Sequence, residues 1–339
     1  MSEKLTIKDI AELASTSKTT VSFYLNGKYD KMSLDTRQRI EKVIKQTHYT
    51  PSVVARSLNT KRTKLIGVLI GDITNSFSNQ IVKGIEEEAH QRGYQVIIGN
   101  SNYNQESEDI YIENMLMLGV DGFIIQPTSH FRKYSRISND KQKPMVFFDS
   151  QLYEHRNSWI KTNNYDAVYD TVQACIDKGY ERFILITAET SRLSTRIERV
   201  SGFIDALEDS KQSYDTLIIP DQNVDLEMIK SFLTEKSHPI ENTLVFAPNC
   251  WALPLVFTAM KELELDLPRV GLLGFDNTEW TTLSSPTVTT IVQPAFEEGC
   301  QATKILIDQI EGGEQEARQQ TLDCSVSWKE STSLVSTKN

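Results

Sequence analysis

Ser17-Lys18-Thr19-Thr20-Val21-Ser22-Phe23-Tyr24-Leu25-Asn26, preceded by Thr6-Ile7-Lys8-Asp9-Ile10-Ala11-Glu12-Leu13-Ala14, reads as two short helices joined by a tight turn. Ser17 stands where an N-cap is needed, ahead of a run rich in small hydrogen-bonding side chains. Ile10, Leu13 and Ala14, with Val21 and Leu25, recur at helical spacing and are expected to clamp the two helices together. Lys18, Thr19 and Phe23 then face outward, where a helix-turn-helix places its major-groove readers. Residues 33–44 read as a third helix, whose Leu34, Ile40, Val43 and Ile44 complete a small all-α core. Ser15 falls in the turn and is expected to take a left-handed backbone at a modest cost.

The charge distribution agrees with DNA reading once it is split by region. Residues 1–64 carry 13 Lys and Arg against 6 Asp and Glu, a balance of +7, in a chain whose net charge is −10. The remainder therefore carries −17, a basic head on an acidic body. That asymmetry directs the head to phosphate and keeps the body off it. The four cysteines, Cys175, Cys250, Cys300 and Cys324, are scattered and suit reduced thiols rather than a metal site. A start that runs straight into the first helix, and the lack of any long apolar run, predict a cytoplasmic protein.

Beyond a basic linker at 59–64 the texture changes to alternating strands and helices. Strands are expected at 65–70, 94–98, 122–126, 145–149, 182–187, 215–219, 243–247 and 270–275. Helices at 79–92, 107–118, 167–178, 197–208 and 251–264 separate them. Such alternation predicts α/β architecture, two doubly wound parallel-sheet lobes that bind ligands beyond the carboxyl ends of their strands. Neither GxGxxG nor GxxxxGK followed by Ser or Thr occurs, so no nucleotide cofactor is expected. The five histidines do not cluster with acids, and no nucleophile–base pair or metal cluster can be assembled; an enzyme is not expected.

Read in order, these segments resemble the LacI/GalR family of transcriptional regulators over nearly the full length. The marks are Thr6-Ile7-Lys8-Asp9-Ile10-Ala11, Thr20-Val21-Ser22 with Leu25-Asn26, Tyr49-Thr50-Pro51 with Ala55-Arg56-Ser57-Leu58, and Ile66-Gly67-Val68. Val120-Asp121-Gly122, Arg199 with Gly202-Phe203, Gly274-Phe275-Asp276 and Thr289-Thr290-Ile291 follow. The segment Asp276-Asn277-Thr278-Glu279-Trp280 is similar to a Gram-positive branch controlling use of uronate-derived sugars. The resemblance implies a helix-turn-helix domain over 1–50, a hinge helix and linker over 51–64, and lobes of periplasmic-binding-protein type over 65–339. The N-lobe would comprise about 65–162 and 292–324, the C-lobe about 163–291 and 325–339.

In the family the second helix enters the major groove, which puts Lys18, Thr19 and Phe23 on reading positions. Lysine can donate to guanine, threonine can bond a base edge, and Phe23 offers apolar contact best suited to a thymine methyl. The alternative for Phe23 is a place in the head's core. Thr6, Ser17, Thr20, Ser22, Asn26 and Tyr49 would contact phosphates or cap helices. The helix beginning at Pro51 is too short to be stable alone and is implied to fold when two subunits lie side by side on the operator. Leu58 falls where an apolar wedge enters from the minor groove, with Ala55 and Arg56 beside it.

A small molecule between the lobes would control this pairing. Residue matching gives Asn75, Phe77, Asn100 and Asp149 from one lobe, and Arg196, Arg199, Asn249, Asp276 and Trp280 from the other. Carboxylates and amides suit sugar hydroxyls, an aromatic ring suits a sugar face, and arginine grips a carboxylate with two parallel bonds. Two arginines favour an acidic sugar derivative. For Arg196 a solvated helix face, and for Asp149 and Asp276 a role as turn caps, remain the plainer readings. At 249–250 Asn-Cys replaces the family's Asn (or Ser) with Asp, and Asn163-Asn164 replaces Asp-Asn.

The expectation is thus a dimeric operator-binding repressor, with faces of both lobes, including 79–92 and the helix from Ala252, at the dimer contact. A corepressor protein acting on the same fold is the first alternative; a carbohydrate enzyme with a DNA-binding head is a remote one. Leu58→Ala should lower affinity for a specific operator about tenfold or more. Nonspecific binding, set by phosphate contacts, should change less than about twofold. Equal losses in a filter-binding comparison would remove the wedge.

Overall fold

A computed structural model describes residues 5–49, 62–128, 131, 143–150, 157–221, 223–238, 240–312 and 316–334. The hinge-helix expectation, with Ala55, Arg56 and Leu58, lies outside the described residues. The chain divides into two compact units, residues 1–63 and residues 64–339.

The first unit is built by caps. Thr6 and Asp9 form a reciprocal capping box that starts α1 (Ile7–Leu13). The Ser17 hydroxyl accepts the Thr20 N–H at 3.1 Å to start α2 (Lys18–Leu25), and Ser33 does the same for Thr36 at the head of α3 (Leu34–Thr47). Between α1 and α2, Ser15 takes φ 48°, the left-handed turn expected of it. Ile10, Ala11, Ala14, Val21 and Ile40 are buried together, with Leu25, Val43 and Ile44 packed against them.

Two residues expected in that core are not there. Leu13 is 57% exposed and Leu34 70% exposed. Leu13 lies off the stripe made by Ile7, Ile10, Ala11 and Ala14. Leu34 is six residues before Ile40, roughly 240° round the helix at 100° per residue.

The second unit contains two six-stranded sheets of the same topology. Its strands are β1 (Leu65–Ile70), β2 (Gln95–Asn100), β3 (Gly122–Ile125), β4 (Met145–Phe148), β5 (Ser158–Thr162), β6 (Arg182–Ala188), β7 (Tyr214–Ile219), β8 (Thr243–Ala247), β9 (Val270–Phe275), β10 (Thr289–Val292), β11 (Gln319–Leu322) and β12 (Ser325–Ser327). One sheet runs β11-β5-β4-β3-β1-β2 and the other β12-β10-β9-β8-β6-β7. All described neighbours are parallel except β10 and β12. Each strand of one sheet thus has a counterpart in the other, and the central strands are fully buried, as a sheet covered on both faces requires.

The covering helices are α4 (Ser76–Gln91), α5 (Gln105–Met117), α6 (Asn164–Asp177), α7 (Ser194–Asp209), α8 (Leu226–Lys236), α9 (Leu253–Glu262), the short α10 (Thr278–Thr281) and α11 (Ala295–Glu311). The chain passes between lobes at 162–164, 292–295 and 322–325. These crossings are tied together. Thr162 Oγ1 donates to Gln293 Oε1 at 2.8 Å, while Asn163 accepts the Cys324 N–H at 2.8 Å and donates to Asp323 at 3.0 Å. The four cysteines are free. Among the described residues no helix is long and apolar enough to cross a membrane, and no cluster of His, Cys, Asp and Glu is arranged to hold a metal.

Helices α4 and α11 approach at glycine. A Cβ on Gly84 would lie 2.1 Å from the Phe296 carbonyl oxygen, and one on Gly299 would lie 2.2 Å from that of Ile81. Backbone on the other side cannot swing away as a flexible side chain could. Gly84→Ala should therefore cost about 1–3 kcal/mol, read as a lower melting temperature. An unchanged midpoint would show that the helix pair can separate freely.

Candidate functional site

On the first unit, Lys18 and Thr19 are exposed on α2 and Phe23 is half-exposed. Phe23 is absent from the residues packed on the head's core, whereas its neighbour Tyr24 belongs to them. The core alternative for Phe23 is therefore not what the structure shows. The hydroxyls divide differently from a uniform phosphate-binding set. Thr6 Oγ1 donates to Asp9 at 2.7 Å, and Ser17 shares a 2.9 Å hydroxyl contact with Thr20, so both serve first as caps. Asn26 donates to the Ser22 carbonyl at 2.7 Å and closes α2. Tyr49 packs on the core, and burial raises its phenol.

In the second unit the carboxyl ends of the two sheets face one cleft. Its lining includes Asn75, Phe77, Asp149, Arg196, Arg199, Asn249 and Asp276, seven of the nine expected residues, and it offers an empty volume of about 530 Å³ with the open mouth included. Asn75 caps α4 and accepts the Phe77 N–H at 3.0 Å; its Oδ1 also meets Cys250 Sγ at 3.4 Å, a contact from one lobe to the other.

The lobes build their walls alike. Gln126, just past β3, accepts the Gly71 N–H at 2.8 Å and donates to Asp149 at 2.7 Å. Asn249, just past β8, accepts the Ala188 N–H at 2.9 Å. Asp149 and Asp276, each following the next strand, both take left-handed backbones, φ 64° and φ 55°. Asp276 accepts the Gln293 N–H at 3.0 Å and the Gln293 amide at 2.8 Å. Both aspartates therefore do cap strand ends, and they line the cleft as well.

Arg199 is 8% exposed. Its Nε donates to Asn164 at 2.8 Å, Nη1 donates to the Pro248 carbonyl at 2.9 Å, and the guanidinium lies 3.7 Å over the Phe275 ring. Arg196 is buried too, so the solvated-face reading fails. It is bound to Asp221 at 2.7 Å and to the Glu189 carbonyl at 2.9 Å. Burial pushes the Asp149 carboxyl up to about 6, against the pull of Arg199 and the Gln126 bond. Asp276 is raised for the same reason, opposed by Arg199 and Gln293. Desolvation outweighs the nearby guanidinium in both.

Two expected residues lie outside this lining. Asn100 spends its side chain on the Ile73 N–H at 3.0 Å and on Asn102 at 3.0 Å. Trp280 packs on Phe257 with ring centroids 5.5 Å apart, and Trp251 is the tryptophan of the cleft. Asp72, Tyr103, Gln126, Leu193, Thr195, Cys250 and Gln293 complete the lining. Gln126 could have been found, since it closes the strand read at 122–126 and is the first residue past β3.

Residues 6–52 match the model for bacterial regulatory proteins of the lacI family, and residues 63–329 that for periplasmic binding proteins and the sugar binding domain of the LacI family. The chain belongs to the LacI family. As a LacI-family protein it is a DNA-binding transcriptional regulator. It is 33% identical over 312 residues to the transcriptional regulator KdgR of Bacillus subtilis, covering 91% of each chain. It is 29% identical over 311 residues to the ribose operon repressor of Escherichia coli, covering 90% of this chain and 93% of that one. The lac repressor dimer bound to operator and the anti-inducer ONPF shares the fold, with a TM-score of 0.83 and 24% identity over 97% of this chain and 99% of that one. The LacI-family relatives are regulators, which sets the enzyme alternative aside.

The raised Asp149 has a consequence for stability. The folded chain keeps this proton where the unfolded chain, near the ordinary value of 3.8, has lost it, so stability is lost as pH climbs from there to about 6. Asp149→Asn should be more stable than wild type at pH 7, by on the order of 2–3 kcal/mol, and the gap should close below about pH 4. A gap of equal size at both ends of a melting series would contradict the assignment.

Proposed function

We propose that this regulator is a dimeric repressor of a palindromic operator, controlled by a small acidic sugar derivative bound between its lobes. Its parts are a reading head over 1–50, a hinge over 51–64 and the lobes from 65 onward. The carrying observation is Arg199: a buried guanidinium in the cleft between the lobes, whose Nη2 donates to no protein acceptor among the described residues. Arg196 is already neutralised by Asp221, so Arg199 is the cation left for a ligand carboxylate. Asp149 and Asp276, Asn75 and Asn249 then suit ring hydroxyls, and Phe77 or Trp251 a ring face.

Dimerisation finds support at the sheet edges. β2 and β7 occupy equivalent edge positions, and each leaves an isoleucine, Ile98 and Ile218, in solvent. Met117 and Leu118, at the end of α5, and Leu283 are exposed as well. Edges with no neighbouring strand among the described residues, flanked by apolar side chains, call for a cover, and a second copy supplies one.

Thermal melting with D-glucuronate, D-galacturonate and D-gluconate, beside glucose and galactose, tests the ligand reading. A sugar acid should raise the midpoint by mass action, by about 2.7 kcal/mol of stabilisation at a hundredfold excess over Kd. Arg199→Lys, which keeps the charge and loses the planar fork, should fold and lose that shift. A response to neutral sugars alone would contradict the acidic ligand. A response only to a phosphocarrier protein would favour control by a corepressor.

A further inference from the structure

One carboxyl of this region stands behind the cleft wall. Glu298, in the first turn of α11, is 0% exposed. Its Oε1 accepts the Asp149 N–H at 2.6 Å, while Oε2 is buried with no hydrogen-bond partner. The equivalent residue of the other lobe manages without such a group: the Asp276 N–H goes to the Ile291 carbonyl at 2.8 Å. Where one lobe satisfies its left-handed strand end with main chain, the other has buried a glutamate to do it. Burying a carboxyl costs several kcal/mol unless something is gained or the charge is given up.

We propose that Glu298 is a positioning residue of the ligand cleft, anchoring the left-handed strand end at Asp149 and so fixing how that carboxyl meets a ligand. This rests on the cleft being the effector site. Asp149 is a non-glycine residue at φ 64°, a conformation held only when its surroundings determine it. Two bonds do so, the N–H to Glu298 and the carboxylate from Gln126.

The groups that face Glu298 are Asp149 after β4, Asp276 after β9, Arg199 of α7 and the Cys324 thiol between β11 and β12. Three carboxyls share that space with one guanidinium. Burial first, then repulsion from Asp149 and Asp276, holds Glu298 well above the ordinary carboxyl range. An un-ionised Glu298 carries its proton on Oε2 and leaves Oε1 to accept from Asp149. Glutamine reproduces that arrangement; leucine removes it.

The test compares wild type, Glu298→Gln and Glu298→Leu. In the absence of ligand, amide exchange of the peptide holding Asp149 should stay slow in the glutamine variant and speed up about tenfold or more in the leucine variant. Melting from pH 5 to pH 8 should show the glutamine variant gaining on wild type as pH rises. The sign follows from the raised carboxyl: the folded wild type holds a proton that the unfolded chain sheds above the usual glutamate range, and glutamine has none to lose. With D-galacturonate as probe, affinity should stay within about twofold in the glutamine variant and fall about tenfold in the leucine variant.

A leucine variant as protected at Asp149 as wild type would overturn the proposal. So would a glutamine variant as unprotected as leucine, or a leucine variant that loses protection yet binds galacturonate like wild type. If wild type ignores galacturonate while the exchange pattern holds, the sugar-acid reading fails and the anchor stands.

Discussion

The buried guanidinium of Arg199 sets the terms for the rest of the effector unit. It is gripped by Asn164 and the Pro248 carbonyl, stacked on Phe275, and lies where burial raises the aspartates of both lobes. Asp149 and Asp276 stand around it at the strand ends because the two sheets repeat one strand order and face each other at their carboxyl edges. The same geometry brings groups of opposite lobes into direct contact. The Asn75–Cys250 contact and the nearly buried pair of Lys161 with Glu198, 2.6 Å apart, already hold the lobes in register at other points.

The head and the body obey different electrostatics. A +7 head presents Lys18 and Thr19 on α2, and the hydroxyls of Thr6, Ser17 and Thr20 are engaged in hydrogen bonds at the starts of α1 and α2. The acidic body carries its functional charge inside, where a low dielectric makes each ionisable group count.

Much of this was legible in the chain. Apolar runs such as Leu65–Ile70 and Val270–Phe275 are strands buried on both faces, and their bounds came out as read. The strands missed are β5, β10, β11 and β12, short and carrying Lys, Thr, Gln or Ser, because edges and lobe crossings do not need continuous apolar character. Helices α8 and α11 also went unread. Arg199, Asp149 and Asp276, proposed from residue types at strand ends, line the cleft. Asn100 and Trp280 lie outside that lining because position after a strand does not say which way a side chain turns: one stitches a loop and the other packs on Phe257. Glu298 could not be read at all. Its partner Asp149 is 149 residues away in sequence, and a glutamate in a first helical turn looks like an ordinary dipole-stabilising residue.

The most direct measurement is a crystal structure of the protein grown with a sugar acid that raises its melting temperature. The ligand carboxylate should pair with the Arg199 guanidinium, with ring hydroxyls within hydrogen-bond distance of both Asp149 and Asp276. A carboxylate seated away from Arg199, or a ring touching the wall of one lobe alone, would contradict that placement.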